Sequence, residues 1–197
     1  MADWVFAAER AYVAAAVGTP GPPADVPPEF PSEPSPEARA RALAAAGAIA
    51  SRYLAVGTPR SFGILIDDST DVEPAALALE AHRTWFQPRD IRCAARHGGA
   101  EELAAATGGR VVSIDEALAC DIANVYGASI ALAPAQLRRG THVNILAIDL
   151  VDPELAQLAT LVREAGLPAL AAGLVDGRQL DEITIFVVDG APIALAG

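Results

Sequence analysis

Asp67, Asp68, Asp71 and Glu73 crowd one short stretch of this chain, directly behind the apolar run Ser61-Phe62-Gly63-Ile64-Leu65-Ile66. Of these, Asp67, Asp68 and Asp71 offer hard oxygen ligands that suit Mg²⁺ or Ca²⁺. Acids at the head of a helix also complement the helix dipole with no metal present, which is the simpler role. The run Ser61–Ile66 reads as a buried strand, Glu73 to Trp85 as a helix and Ile91 to Ala95 as a second strand. Such a unit opens a dinucleotide-binding sheet. In those sheets the first turn carries GxGxxG, so that backbone amides and a helix N-terminus can approach a pyrophosphate. Here the turn runs Asp67 to Glu73, with no glycine after Gly63. Two like unit charges about 4 Å apart near a surface repel by about 4 kcal/mol. The reading is therefore a nucleotide-type fold with no cofactor and no metal.

Other residues offer weaker chemistry. Arg96 ends the second strand, where an NAD enzyme places its ribose-binding acid. An arginine there suits a 2′-phosphate, so Arg96 is the candidate cofactor-binding residue, with a plain surface role as the alternative. Asp149 closes a later strand, the place where open parallel sheets put ligand contacts. It is the candidate catalytic residue, set against helix capping, since Asp152-Pro153 follows. His82, His97 and His142 are scattered, and no Ser-His-Asp or Cys-His spacing stands out. Cys93 and Cys120 form no CxxC and sit among apolar residues, as buried free thiols do.

The elements that must hold these residues alternate. Asp3 to Val17 is helical, with Trp4, Ala7, Ala8, Tyr12 and Ala15 on one stripe. Residues 19–37 are proline-rich and read as an extended arm. Ser35-Pro36-Glu37 starts a helix that runs through Leu54. After the second strand come a helix over Ala100–Thr107, a strand over Arg110–Ile114, a short helix to Cys120 and a strand over Asp121–Val125. A fifth strand covers His142–Ile148 and a helix Asp152–Ala165, which Gly166-Leu167-Pro168 breaks. Strand-like segments cover Asp181–Val188 and Ala191–Ala196, around an Asp189-Gly190 turn. This predicts an α/β, Rossmann-like, doubly wound and mostly parallel sheet. Its expected divisions are an N-terminal helix (1–18), the arm (19–37), the Rossmann-like domain (38–180) and a C-terminal β segment (181–197) packed with the N-terminal region.

Of the 197 residues, 52 % are hydrophobic, ample for a core, and the formal net charge is −11. That charge argues against nucleic acid and against anionic membrane surfaces, both of which call for Lys and Arg. With no basic start followed by an apolar stretch, and no apolar run of about 20 residues, the expectation is a cytoplasmic protein.

Several segments resemble the ornithine cyclodeaminase and mu-crystallin family, whose members bind NAD(P) and include amino-acid and imine oxidoreductases. Ala42 to Ala55 resembles the family's R-T-A-A-A-S-A…R-Y-L-A helix. Ser113-Ile114-Asp115-Glu116-Ala117 with Cys120-Asp121-Ile122-Ala123 is similar to its S-x-E-E-A…A-D-I-V. Gly140-Thr141-His142-Val143-Asn144 through Asp149 is similar to its G-x-H-V-N-x-x-G-x-D, and Asp181 through Gly190 to its closing D-E-I-T-x-F-x-x-x-G. Phe6 to Gly18 resembles its first helix. The resemblance implies that Asp149 is the family aspartate that works on an amino or imino group. It also marks losses. The family's catalytic lysine has no counterpart, because all 14 basic residues are arginine. Its carboxylate-gripping arginine falls at Ala42, beside Arg41. The arm stands where most of a substrate and dimerisation domain belongs. The expectation is a shortened, non-catalytic relative acting through self-association or a protein partner. The alternatives are an NAD(P)-dependent amino-acid or imine oxidoreductase or cyclodeaminase using Asp149, and a small module that binds cations or amines.

Overall fold

A computed structural model describes residues 2–17, 35–127, 132–146, 157, 159–175 and 183–188. The helices are α1 (Asp3–Val17), α2 (Pro36–Leu54), α3 (Val72–His82), α4 (Ala100–Thr107), α5 (Ile114–Leu118) and α6 (Leu167–Ala171). The strands are β1 (Ser61–Ile66), β2 (Asp90–Ala95), β3 (Arg110–Val111), β4 (Ile122–Val125), β5 (His142–Ile145), β6 (Ala159–Arg163) and β7 (Ile183–Val187). They form one seven-stranded sheet in the order β3-β2-β1-β4-β5-β7-β6. Every pairing is parallel. The chain winds outward from β1 to β3, returns to the other side of β1 at β4, continues outward to β5 and to β6 at the far edge, and then inserts β7 between those two. This is the Rossmann-like α/β fold expected from the alternation of elements. The reversal between β1 and β4 is the switch point.

Alternate strand residues serve opposite faces. Phe62, Ile64, Ile66, Ile122 and Phe186 pack beneath α1 to α4. Leu65, Val125, Val143, Ile145 and Ile185 pack with Ala117 and Leu118 of α5. Helix α2 is buried almost all round from Ala44 to Ser51, because it lies between the sheet and the other helices. Its start follows the sequence signal: the Ser35 side chain accepts from the Ala38 amide at 3.2 Å, and proline occupies the first turn.

Three local expectations need correction. The buried stripe of α1 is Val5, Ala8 and Tyr12, while Ala7 and Ala15 face solvent. The strand expected over Arg110–Ile114 stops at Val111, because Ser113 and Glu116 form a capping box that begins α5. Ser113 accepts from the Glu116 amide at 3.3 Å, and the Glu116 carboxylate accepts from the Ser113 amide at 3.1 Å. The S-x-x-E spacing carries that signal in the sequence. The helix expected over Asp152–Ala165 contains strand β6 instead, which pairs with β7 from Ala159 to Arg163. Thr160, Leu161 and Val162 tolerate either state, and the waiting edge of β7 decides between them. Gly166-Leu167-Pro168 does not break a helix; it opens α6, with proline again in the first turn. Strand β7 is an interior strand, held between β5 and β6. The expected Asp189-Gly190 turn and the strand over Ala191–Ala196 lie outside the described residues.

At the opposite end of the sheet from the switch-point loops, Asp121 ties strands together. Its Oδ2 accepts from the Arg60 and Ser61 amides, each at 2.9 Å, while Oδ1 accepts from Arg138 at 2.8 Å. Asp121→Ala is expected to cost about 2 kcal/mol, since charged acceptors contribute roughly 1.5–3 kcal/mol. Urea unfolding followed by circular dichroism measures it.

Candidate functional site

The C-terminal ends of β1, β2 and β4 meet at the switch point. The turn between β1 and α3 holds the acidic stretch. Asp68 Oδ1 accepts from the Thr70 amide at 2.8 Å and the Thr70 hydroxyl at 2.6 Å. Asp71 Oδ2 reaches back and accepts from the Asp67 amide at 3.0 Å. The Asp71 amide donates to the Asp68 carbonyl at 3.2 Å, closing a 3₁₀ turn over Ser69–Asp71. The Thr70 hydroxyl and amide hold the Asp68 carboxyl below the ordinary carboxylate range.

Neighbouring strand ends clamp the turn. The His97 amide donates to the Asp67 carbonyl at 2.7 Å, and the Arg96 amide to that of Ile66 at 3.1 Å. Gly127, at φ +108°, follows β4; a Cβ there would lie 2.6 Å from the Asp67 Cβ. Gly99, at φ +92°, would bring one within 2.8 Å of the Ser69 Cα. The glycine missing from the turn itself is therefore supplied by its two neighbours, which let an aspartate-rich loop settle against bare backbone.

A pyrophosphate held at a helix N-terminus needs free backbone donors and little negative charge. In this corner the amides of Asp67, Thr70 and Asp71 already have acceptors within the turn. Two of those acceptors are carboxylates, and Glu73 adds another in the first turn of α3. Tyr126 lies just beyond β4, buried, with no hydrogen-bond partner for its hydroxyl among the described residues. Burial, and then the charge of Asp71, raise its pKa.

The other candidates fall as follows. Arg96 is exposed at the end of β2, and its guanidinium makes no hydrogen bond or ion pair among the described residues. His97 Nε2 lies 3.8 Å from Asp67 Oδ1. Asp149 lies outside the described residues. No three Asp, Glu, His or Cys side chains gather as a metal site among the described residues. Cys93 and Cys120 are free and buried; burial raises both thiols, Cys120 to about 11. Neither is poised as a nucleophile at neutral pH. The expectation that the histidines are unclustered is wrong for two of them. His82 and His142 enter one buried polar network across α2, α3 and the sheet. Their separation of 60 positions in the sequence hides a meeting that pairing of distant strands creates.

No family model matches the chain, and no curated protein matches it. Solved structures do. An archaeal alanine dehydrogenase dimer with bound NAD superposes with a TM-score of 0.73 at 20 % identity, covering 97 % of this chain and 86 % of that one. The Δ1-pyrroline-2-carboxylate reductase of Thermococcus litoralis, in complex with NADH and L-proline, gives 0.66 at 21 % identity, over 82 % of this chain and 62 % of that one. A lysine cyclodeaminase gives 0.53 at 20 % identity, over 76 % and 54 %. This chain thus spans less than two thirds of the reductase and of the cyclodeaminase.

Fold and comparisons together define the class: an α/β protein of Rossmann-type architecture, similar in fold to the alanine dehydrogenase, the reductase and the cyclodeaminase. The alanine dehydrogenase and the reductase carry NAD and NADH. These likenesses lend no support to the expectation of a cofactor-free protein, and they favour the oxidoreductase alternative over the scaffold reading.

Proposed function

We propose that this chain is a shortened relative of the ornithine cyclodeaminase group that keeps the nucleotide fold as a framework. It works through contact with a second copy or with another protein rather than through turnover. One observation carries this reading: the corner that would receive phosphate is filled by its own carboxylates, Asp68 and Asp71, bonded to the turn's amides. A phosphate there would meet like charge where its usual amide donors are already engaged, which weakens binding. Titrating NADH or NADPH against the intact chain, read by nicotinamide fluorescence, is expected to give no saturation below about 1 mM. Light scattering after size exclusion is expected to show an oligomer; a strictly monomeric protein that co-purifies with nothing counts against the contact role.

A second reading has its own support in the NAD- and NADH-bound structures of similar fold. On it, the chain is an NAD(P)-dependent amino-acid or imine oxidoreductase, with Asp149 as acid and base and Arg96 beside the nucleotide ribose. Micromolar NADH or NADPH affinity establishes this reading and removes the first. Loss of turnover in Asp149→Asn would then assign the catalytic group.

A further inference from the structure

Beneath α2 and α3 the sheet carries a stripe of polar side chains: Asn124, His142, Asn144 and Thr184, all 0–1 % exposed. Ser51 of α2 and His82 of α3, both fully buried, close over it. The contacts run in one chain. Thr184 Oγ1 meets His142 Nδ1 at 2.9 Å, and His142 Nε2 meets Asn144 Oδ1 at 2.9 Å. Asn144 Nδ2 donates to Ser51 Oγ and to Asn124 Oδ1, each at 2.8 Å. Ser51 Oγ meets His82 Nε2 at 2.9 Å, and His82 Nδ1 meets the Ala78 carbonyl at 2.7 Å.

One set of proton positions satisfies this chain with neutral rings. The Ala78 carbonyl can only accept, so His82 carries its proton on Nδ1 and accepts from Ser51 at Nε2. Asn144 Oδ1 can only accept, so His142 carries its proton on Nε2 and accepts from Thr184 at Nδ1. A further proton on either ring makes a buried cation. Around His82 stand Ser51, the rings of Phe62 and Phe86, and the Asn144 amide. Around His142 stand Asn144 and Thr184, and the charge that acts on it is that of His82, which opposes a second proton. Arg52, next to Ser51, turns away to Glu9 and to the Trp85 ring. No carboxylate from α2, α3, β1, β4, β5 or β7 bonds to either ring among the described residues.

The rest of the seam is weak. Apart from Ile49, Leu54 and Ser51, the buried run of α2 is alanine and glycine. An alanine methyl buries far less apolar surface than a leucine or phenylalanine side chain, and glycine buries none. We infer that this polar chain is a proton-operated staple: it holds α2 on the sheet while both imidazoles are neutral, and releases that helix when either takes a proton.

Burial lowers both rings from the ordinary histidine value of 6.5, His82 to about 4 and His142 to about 3. A group with a lowered folded-state pKa that is neutral when deprotonated contributes its full stability above its unfolded value. That contribution drains away as pH falls from 6.5 toward the folded values. Between pH 6.5 and 5 each ring is expected to lower the folding constant up to tenfold per pH unit, and the pair up to a hundredfold.

The test uses the full chain. Imidazole nitrogen NMR is expected to show His82 as the Nδ1–H form and His142 as the Nε2–H form, both neutral until α2 opens. Hydrogen exchange, corrected for intrinsic rate, is expected to show the Ala44–Ser51 amides losing protection between pH 6.5 and 5 while Ile64 and Ile122 keep theirs. The double variant Ser51→Ala/His82→Leu removes one ring together with its partner hydroxyl, and is expected to halve the pH slope of stability. Either ring titrating at the ordinary value inside a folded protein overturns the inference. So does loss of protection in α2 and sheet together. If the double variant does not fold, the NMR and exchange results on the unaltered chain decide the matter by themselves.

Discussion

Gly63→Ala is expected to leave little folded protein. A Cβ at this position in β1 would stand 1.9 Å from the carbonyl oxygen of Ala117 and 2.7 Å from its carbon. Both are backbone atoms of α5, so no side-chain rotation relieves the clash; the helix itself has to move off the sheet. Ordinary overpacking costs about 1–3 kcal/mol with side chains free to adjust. Here the expected loss is at least about 3 kcal/mol, a large part of the 5–15 kcal/mol typical of a domain. Urea titration followed by circular dichroism measures it. Gly108→Ala serves as the comparison: it has φ +72° but nothing within 4 Å of the added atom. Its cost is expected to be about 1 kcal/mol, from backbone conformation alone. Equal midpoints for the two variants would show that α5 is not seated on Gly63.

Asn144→Ala is expected to be the most damaging truncation in the interior. Asn144 is the hub of the polar stripe, bonded to His142, Ser51 and Asn124. Removing its amide strands a ring N–H and an amide oxygen in a dry interior, and takes a donor from the Ser51 hydroxyl. Each orphaned buried group costs about 1–3 kcal/mol, so the sum is expected near 4 kcal/mol. Combining Asn144→Ala with Ser51→Ala is expected to cost less than the two changes added together, because both remove the same Asn144–Ser51 hydrogen bond. Strict additivity in that cycle would mean the two side chains do not share a bond.

Much of the frame was legible before any coordinates. Ser61–Ile66 is a near-continuous apolar run, the mark of a strand covered on both faces, while Asp121–Val125 and the start of His142–Ile148 are strand-like with apolar and polar residues interleaved. Between β1 and β4 the strands alternate with helical patterns, one of them ended by Gly108-Gly109, so a parallel sheet follows almost from spacing. Ser35-Pro36 announces its helix by chemistry that acts within one turn. The acidic turn was equally plain, because its carboxylates are adjacent in the chain. Local signals of this kind depend on neighbours a few residues away, and such neighbours are fixed by covalent connection.

Contacts between residues far apart along the chain were another matter. Ala159–Arg163 carries a pattern open to helix or strand, and the free edge of β7 settles it. Asp68 and Asp71 read as charges to be repelled, yet in space they are the acceptors that satisfy their own turn. Gly99 and Gly127 looked like ordinary loop residues until the folded sheet brought them against Ser69 and Asp67. His82 and His142 looked isolated because their meeting depends on Asn144, and Ser51 is 93 positions from that asparagine. A contact over such a span exists only after the intervening chain has closed its loops and paired its strands. Local chemistry therefore dictated the succession of elements and the acid at the corner, while assembly of the sheet alone decided which polar groups would be buried together.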